Sequence, residues 1–175
     1  MKLKEWGGVL SGWTLVLFGA ASIVVGVLGL QEVRDTISRE KITATADVKE
    51  LGVDLEPGQL IKTGEEAKQF AQIIRLHALE STGQKTYAEM GRYLTASGDE
   101  TNVEAQAAKD QKGRPVDNAK RNIWVTATAL TTALNTAFMA ERIAIFAVVM
   151  GVALLLTGIG FLVLVSGGAL RARRR

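Results

Sequence analysis

The sequence predicts an all-α membrane protein: a transmembrane helical hairpin carrying a small helical extracytoplasmic domain, with the second span continuous with a long helix. Three observations carry that prediction. Residues 143–165, IAIFAVVMGVALLLTGIGFLVLV, run for 23 positions without a charge. As a helix rising about 1.5 Å per residue, that length crosses a hydrocarbon core about 30 Å thick. Residues 9–30, VLSGWTLVLFGAASIVVGVLGL, form a second uncharged block of 22. The basic residues then lie where topology would put them. Lys2 and Lys4 precede the first block, and Arg171, Arg173, Arg174 and Arg175 follow the second.

The position of the charge decides its meaning. The chain is +3 overall, yet residues 31–142 hold 15 Lys/Arg against 17 Asp/Glu, a net of −2. A basic balance confined to two tails that flank apolar spans reads as a topology signal, with the arginine tail also able to meet anionic headgroups. No nucleic-acid partner is expected. The positive-inside rule puts the 1–8 and 166–175 segments in the cytoplasm and residues 31–142 outside. The first block is longer than a signal-peptide core of about 7–15 residues, and Gly29-Leu30-Gln31-Glu32 is a poor cleavage site, so it reads as an uncleaved span.

Taken in order, the first helix continues past the membrane on Leu30, Val33 and Ile37 to about residue 40. Residues 41–60 lose that period, contain Gly52, Pro57 and Gly58, and read as a loop with one extended piece at 42–48. Thr63-Gly-Glu-Glu66 is a capping box. The helix it opens shows Ala67, Phe70, Ala71, Ile74 and Ala78 on one face, with Gly83 as its stop. Thr86-Tyr-Ala-Glu89 predicts a second short helix through Leu94. Ser97-Gly-Asp-Glu100 or Thr101-Asn-Val-Glu104 predicts a third, reaching Lys112, with almost no apolar stripe. The last helix starts near 117 and runs unbroken to 165, about 74 Å, of which about 40 Å lies beyond the bilayer core. Its Ile123, Ala127, Leu130, Leu134, Ala137 and Glu141 form a seam. Its threonines 126, 128, 131, 132 and 136 predict a face packed on the other ectodomain helices.

Small residues recur every seven positions in both spans: Gly12, Gly19 and Gly26 in the first, Ala144, Gly151 and Gly158 in the second. Lipid gives helices little hydrophobic drive to associate, so small residues that let backbones approach matter more. A seven-residue repeat keeps one face turned to a left-handed partner. The rows are expected to face one another, or one of them to serve a different membrane subunit or a second copy.

The chemistry-bearing residues are sparse. There is no cysteine, so thiolate catalysis and cysteine metal sites are excluded, and neither span holds an ionisable residue of the kind that marks an ion path. His77 is the one histidine. Ser81, Glu80 and Asp99 could complete a Ser-His-acid set, but no nucleophile elbow or oxyanion motif accompanies them, and His77 reads as structural. Tyr87 and Tyr93 read as packing residues. No phosphate loop, dinucleotide fingerprint or calcium loop is present. No cofactor and no metal are expected.

The order of a span, Glu40-Lys41-Ile42-Thr43, a helix reading AQIIRLHALESTGQKTYAEM over 71–90, and a second span resembles a group of small actinobacterial membrane proteins of unknown function. The likeness covers most of the chain and rests on 77–89. Members often carry the label aromatic ring-opening dioxygenase. Such enzymes hold non-haem iron with two histidines and a carboxylate, a set that one histidine cannot supply. The resemblance implies the inner membrane of a Gram-positive actinobacterium. By analogy it implies a non-enzymatic accessory or scaffold subunit of an envelope or respiratory complex, partnered by other membrane subunits or by itself. The other expectation is an extracytoplasmic binding module for an envelope lipid, peptide or protein.

Overall fold

The computed structural model describes residues 3–167, with side chains from residue 6 onward. The chain is mostly helical and divides into two compact units, Met1–Glu40 with Met139–Arg175, and Lys41–Phe138. The first unit holds helix α1, Leu3–Arg39, and the C-terminal part of helix α3, Ala119–Ser166. Both helices are long and apolar enough to cross a membrane, and only 11% of each apolar window is buried. That low burial separates them from the core helices of a soluble protein. Leu10, Leu17, Phe18 and Val25 on α1, and Phe146, Val149, Leu156 and Val163 on α3, all point outward. Apolar surface on that scale needs a non-aqueous partner.

Inside the pair, small residues set the approach. A Cβ at Gly19 would lie 2.6 Å from the Gly151 carbonyl oxygen, one at Gly158 would lie 2.8 Å from that of Gly12, and one at Gly26 would lie 2.7 Å from that of Ala144. The matched positions run in opposite order along the two helices. Thr14 and Thr157 donate their hydroxyls to carbonyls one turn back, at Leu10 and Ala153, which removes the cost of bare hydroxyls in an apolar setting. The same unit contains an ion pair, Arg34 Nε to Glu141 Oε1 at 2.8 Å. The Glu141 side chain is 5% exposed and that of Arg34 is 52%. A carboxylate so buried requires a cation, and the half-exposed arginine supplies it.

The second unit is built on helix α2, Gly64–Ser81. The Thr63 hydroxyl accepts from the Glu66 amide while Glu66 accepts from the Thr63 and Lys62 amides, and Gly83 turns the chain away at φ +70°. α2 is held from two sides. Residues 41–62 reach it through His77 to Asp47 and Gln59 to Glu66, and α3 reaches it through Arg75 over the Trp124 ring and Lys68 over Phe138. Residues 41–62 are non-repetitive yet supply core: Val48, Leu55 and Ile61 are among the most buried side chains of the molecule. The extended piece expected at 42–48 is a single antiparallel bridge, Thr43 to Leu60, followed by turns.

Two expected helices are absent from this unit. Thr86 donates both its amide and its hydroxyl to Glu89, and the box closes only a 3-10 turn at Tyr87–Glu89. Met90 then extends and buries, and Tyr93–Leu94 forms strand β1. β1 pairs antiparallel with β2, Glu100–Thr101, with Tyr93 opposite Thr101. Ser97-Gly98-Asp99 is the turn between them, with Gly98 at φ +89°. The third expected helix is reduced to a 3-10 turn at Glu104–Gln106, followed by a turn in which Asp110 accepts from the Lys112 and Arg114 amides. Without an apolar stripe, nothing in 97–112 stabilises a helix against these local side-chain bonds.

The face of α3 within this unit also differs from the sequence reading. Thr126, Thr128, Thr132 and Thr136 are exposed rather than packed, and Thr131 is half-buried. Ile123 and Leu130, expected in the seam, are 43% and 50% exposed. Leu134 of the expected seam is buried and Ala127 half-buried, while Trp124 and Phe138, outside that seam, meet cations of α2. Both aromatics are met by cations on α2, a pairing that hydrophobic spacing does not reveal.

Candidate functional site

Because Ile123 and Leu130 sit beside the α2 contact rather than within it, a groove opens along α3. Its volume is about 500 Å³. Ile74 and Ala78 of α2 and Ile123, Ala127 and Leu130 of α3 make its walls mainly apolar, and Asn122, Thr126, His77 and Ser81 add polar points. The sequence period placed Ile74 in the core. In fact Ile73 is the fully buried residue and Ile74 is half-buried at the groove, since a helix gripped from two sides buries more than one stripe.

His77 Nε2 lies 2.6 Å from Asp47 Oδ2. Proximity of the Thr45 hydroxyl, then the hydrogen bond to His77, hold the Asp47 carboxyl below its ordinary value. Thr45 Oγ1 has no hydrogen-bond partner of good geometry, so His77 is the partner that fixes Asp47 in place. Ser81 is one turn from His77 and lines the same groove, but no hydrogen bond joins them. Asp99, the other candidate acid, accepts from Ser97 in the β1–β2 turn. Asp47 carries no motif and is 30 residues from His77, so no local signal could have paired them. Among the described residues, no group of three His, Asp or Glu side chains is placed to hold a metal ion.

A second recess of about 320 Å³ adjoins the first, and Asn122 lines both. Arg92, Arg121, Asp117 and Tyr87 line it. The Arg121 guanidinium lies 3.9 Å from the centre of the Tyr87 ring, and that of Arg92 lies 5.0 Å from the centre of Tyr93. The tyrosines read as packing residues are therefore cation platforms as well. Behind them Asn118 ties the unit together. It is 2% exposed, donates from Nδ2 to the Gly91 carbonyl and to Glu100, and accepts the Lys120 amide at the start of α3. The Lys85 ammonium first, then the Gly91 amide and Asn118, outweigh desolvation and hold the Glu100 carboxyl below its ordinary value.

The structure brings Gly12, Gly19 and Gly26 against Gly158, Gly151 and Ala144, as set out above. Lys2, Lys4, Arg171, Arg173, Arg174 and Arg175 lie outside the residues whose side chains are described. No family model, curated protein or solved structure matches the chain.

Proposed function

We propose that this is a non-enzymatic, two-span membrane protein with both termini in the cytoplasm, whose Lys41–Phe138 unit acts outside as a binding module. The observation that carries the reading is the groove along α3. It leaves Ile123 and Leu130 half in solvent within the unit that is otherwise of ordinary soluble composition. Concave, mainly apolar surface with a few polar points is the usual form of a recognition site.

The second reading, an accessory or scaffold subunit of a larger envelope or respiratory membrane complex, draws on the outward apolar faces of α1 and α3. Purification through a C-terminal tag in mild detergent, followed by mass spectrometry, separates the two. Recovery of this chain alone, as monomer or homo-oligomer, supports the binding module. Stoichiometric recovery with a defined set of larger membrane subunits supports the scaffold and overturns the first reading.

A further inference from the structure

We infer that the groove and its adjoining recess bind one anionic single-chain amphiphile, with the alkyl chain along Ile74, Ile123 and Leu130 and the acidic headgroup between Arg92 and Arg121. This rests on the binding-module reading and names its ligand class. The two recesses share Asn122, so tail and head sites adjoin on one helix. From Arg121 to Leu130 the helix advances about 14 Å, a distance an alkyl chain can follow. The groove volume of about 500 Å³ lies within the range of about 300–1,000 Å³ usual for small-ligand sites.

The charge of the recess argues for an acidic head. Among the described residues no carboxylate lies within ion-pair distance of Arg92 or Arg121, and of the several cations left so these two line the recess together. Their guanidinium groups are steadied by tyrosine rings instead, and ring stacking leaves the in-plane N–H donors for a ligand oxygen. Asp117 also lines the recess, so two guanidinium groups face one carboxylate and the net charge is +1. That balance suits a singly charged head.

The walls argue for an alkyl tail over an extended peptide. Both are α-helices, whose interior backbone groups are already bonded along the helix. An extended peptide would leave its own amides and carbonyls unpaired there, and an alkyl chain has none to satisfy.

The test uses the full-length protein in zwitterionic phosphatidylcholine nanodiscs, titrated with dodecanoate and, separately, with uncharged dodecanol. Empty discs measure partition into lipid. Saturable dodecanoate binding above that background is expected. Arg121→Gln should weaken dodecanoate about tenfold and leave dodecanol unchanged. Leu130→Gln, at an exposed position the fold does not depend on, should weaken both. No saturable binding, or binding that neither variant alters, overturns the inference.

A photo-crosslinking residue at position 130 in intact cells keeps the two levels apart. A lipid adduct supports the inference. A protein adduct without dodecanoate binding overturns the amphiphile and keeps a binding module. No adduct and no binding overturn both.

Discussion

Substituting single glycines with alanine in the apolar helix pair gives outcomes graded by the backbone each methyl would meet. A Cβ at Gly151 lies 2.7 Å from the Gly19 carbonyl oxygen and 2.8 Å from the Ile23 amide nitrogen, where ordinary contact begins near 3.4 Å. The helices must part by about 0.7 Å to admit it, and the obstruction is backbone, which no rotamer change can clear. Overpacking of this kind costs about 1–3 kcal/mol. At Gly160 nothing lies within 4 Å, so alanine there brings only its better helix propensity, at most about 1 kcal/mol in favour. Gly29→Ala, whose Cβ would meet that of Ala144 at 3.4 Å, should be close to neutral. Gly12→Ala meets the Leu162 side chain at 2.7 Å and the Gly158 carbonyl oxygen only at 3.3 Å, so it should cost less than Gly151→Ala. The assay is reversible unfolding of the purified protein in mixed micelles of dodecyl sulfate and a mild detergent, followed by circular dichroism. The expected order of stability is Gly160→Ala, Gly29→Ala, Gly12→Ala, Gly151→Ala. If Gly151→Ala is as stable as Gly160→Ala, the glycines reflect only their abundance in membrane helices and the close approach is refuted.

Two further outcomes concern the Lys41–Phe138 unit. Asn118→Ala should cost about 2–3 kcal/mol, from the lost helix cap and the Gly91 carbonyl left bare. Asn118→Asp should not rescue it, because the new carboxylate would face Glu100; hydrogen exchange at residues 91–93 and 119–122 reads both. Stability should also fall in acid. Burial raises Glu66, but bonds from the Lys62 and Thr63 amides outweigh it and its pKa is lowered. The Thr86 amide lowers that of Glu89, and the Arg114 amide that of Asp110. With Asp47 and Glu100, these carboxyls bind protons more readily unfolded than folded, so their contribution is complete above the ordinary values of 4.5 and 3.8 and is lost as pH falls through the lowered folded values. Thermal midpoints measured from pH 7 to pH 3 should be level at first and drop below about pH 4.5. A midpoint unchanged at pH 3 would contradict these shifts.

The parts legible in the sequence are those set by one local pattern. Two uncharged runs give two helices long and apolar enough to cross a membrane, and Thr63 with Glu66 gives the start of α2. The same box at Thr86 and Glu89 misleads, because a capping box can close a single turn when the next residues are needed elsewhere, here Met90 in the core and Tyr93 in the sheet. Spacing alone could show seven-residue rows of small residues, but not that Gly12 is met first by the Leu162 side chain and Gly19 by backbone at 2.6 Å. The groove was illegible for a different reason. Trp124 and Phe138 meet Arg75 and Lys68 on α2, while Ile123 and Leu130 on the neighbouring face of α3 stay half in solvent. Apolar periodicity counts all five of its wall residues as core, and only the rotation of α3 about its axis decides which are covered. Asp47 and Asn118 act through partners 30 and 27 residues away, beyond any local window.

The central claim, a two-span chain with its polar unit outside the cytoplasm, is open to one direct measurement because the native chain has no cysteine. Ser97→Cys places a single thiol on an exposed turn of the Lys41–Phe138 unit, and Ala172→Cys places one in the arginine-rich tail. Intact cells are treated with a membrane-impermeant maleimide before and after permeabilisation. The expected result is labelling of Ser97→Cys in intact cells and of Ala172→Cys only after permeabilisation. Labelling in the reverse order, or of both sites in intact cells, would contradict the assignment.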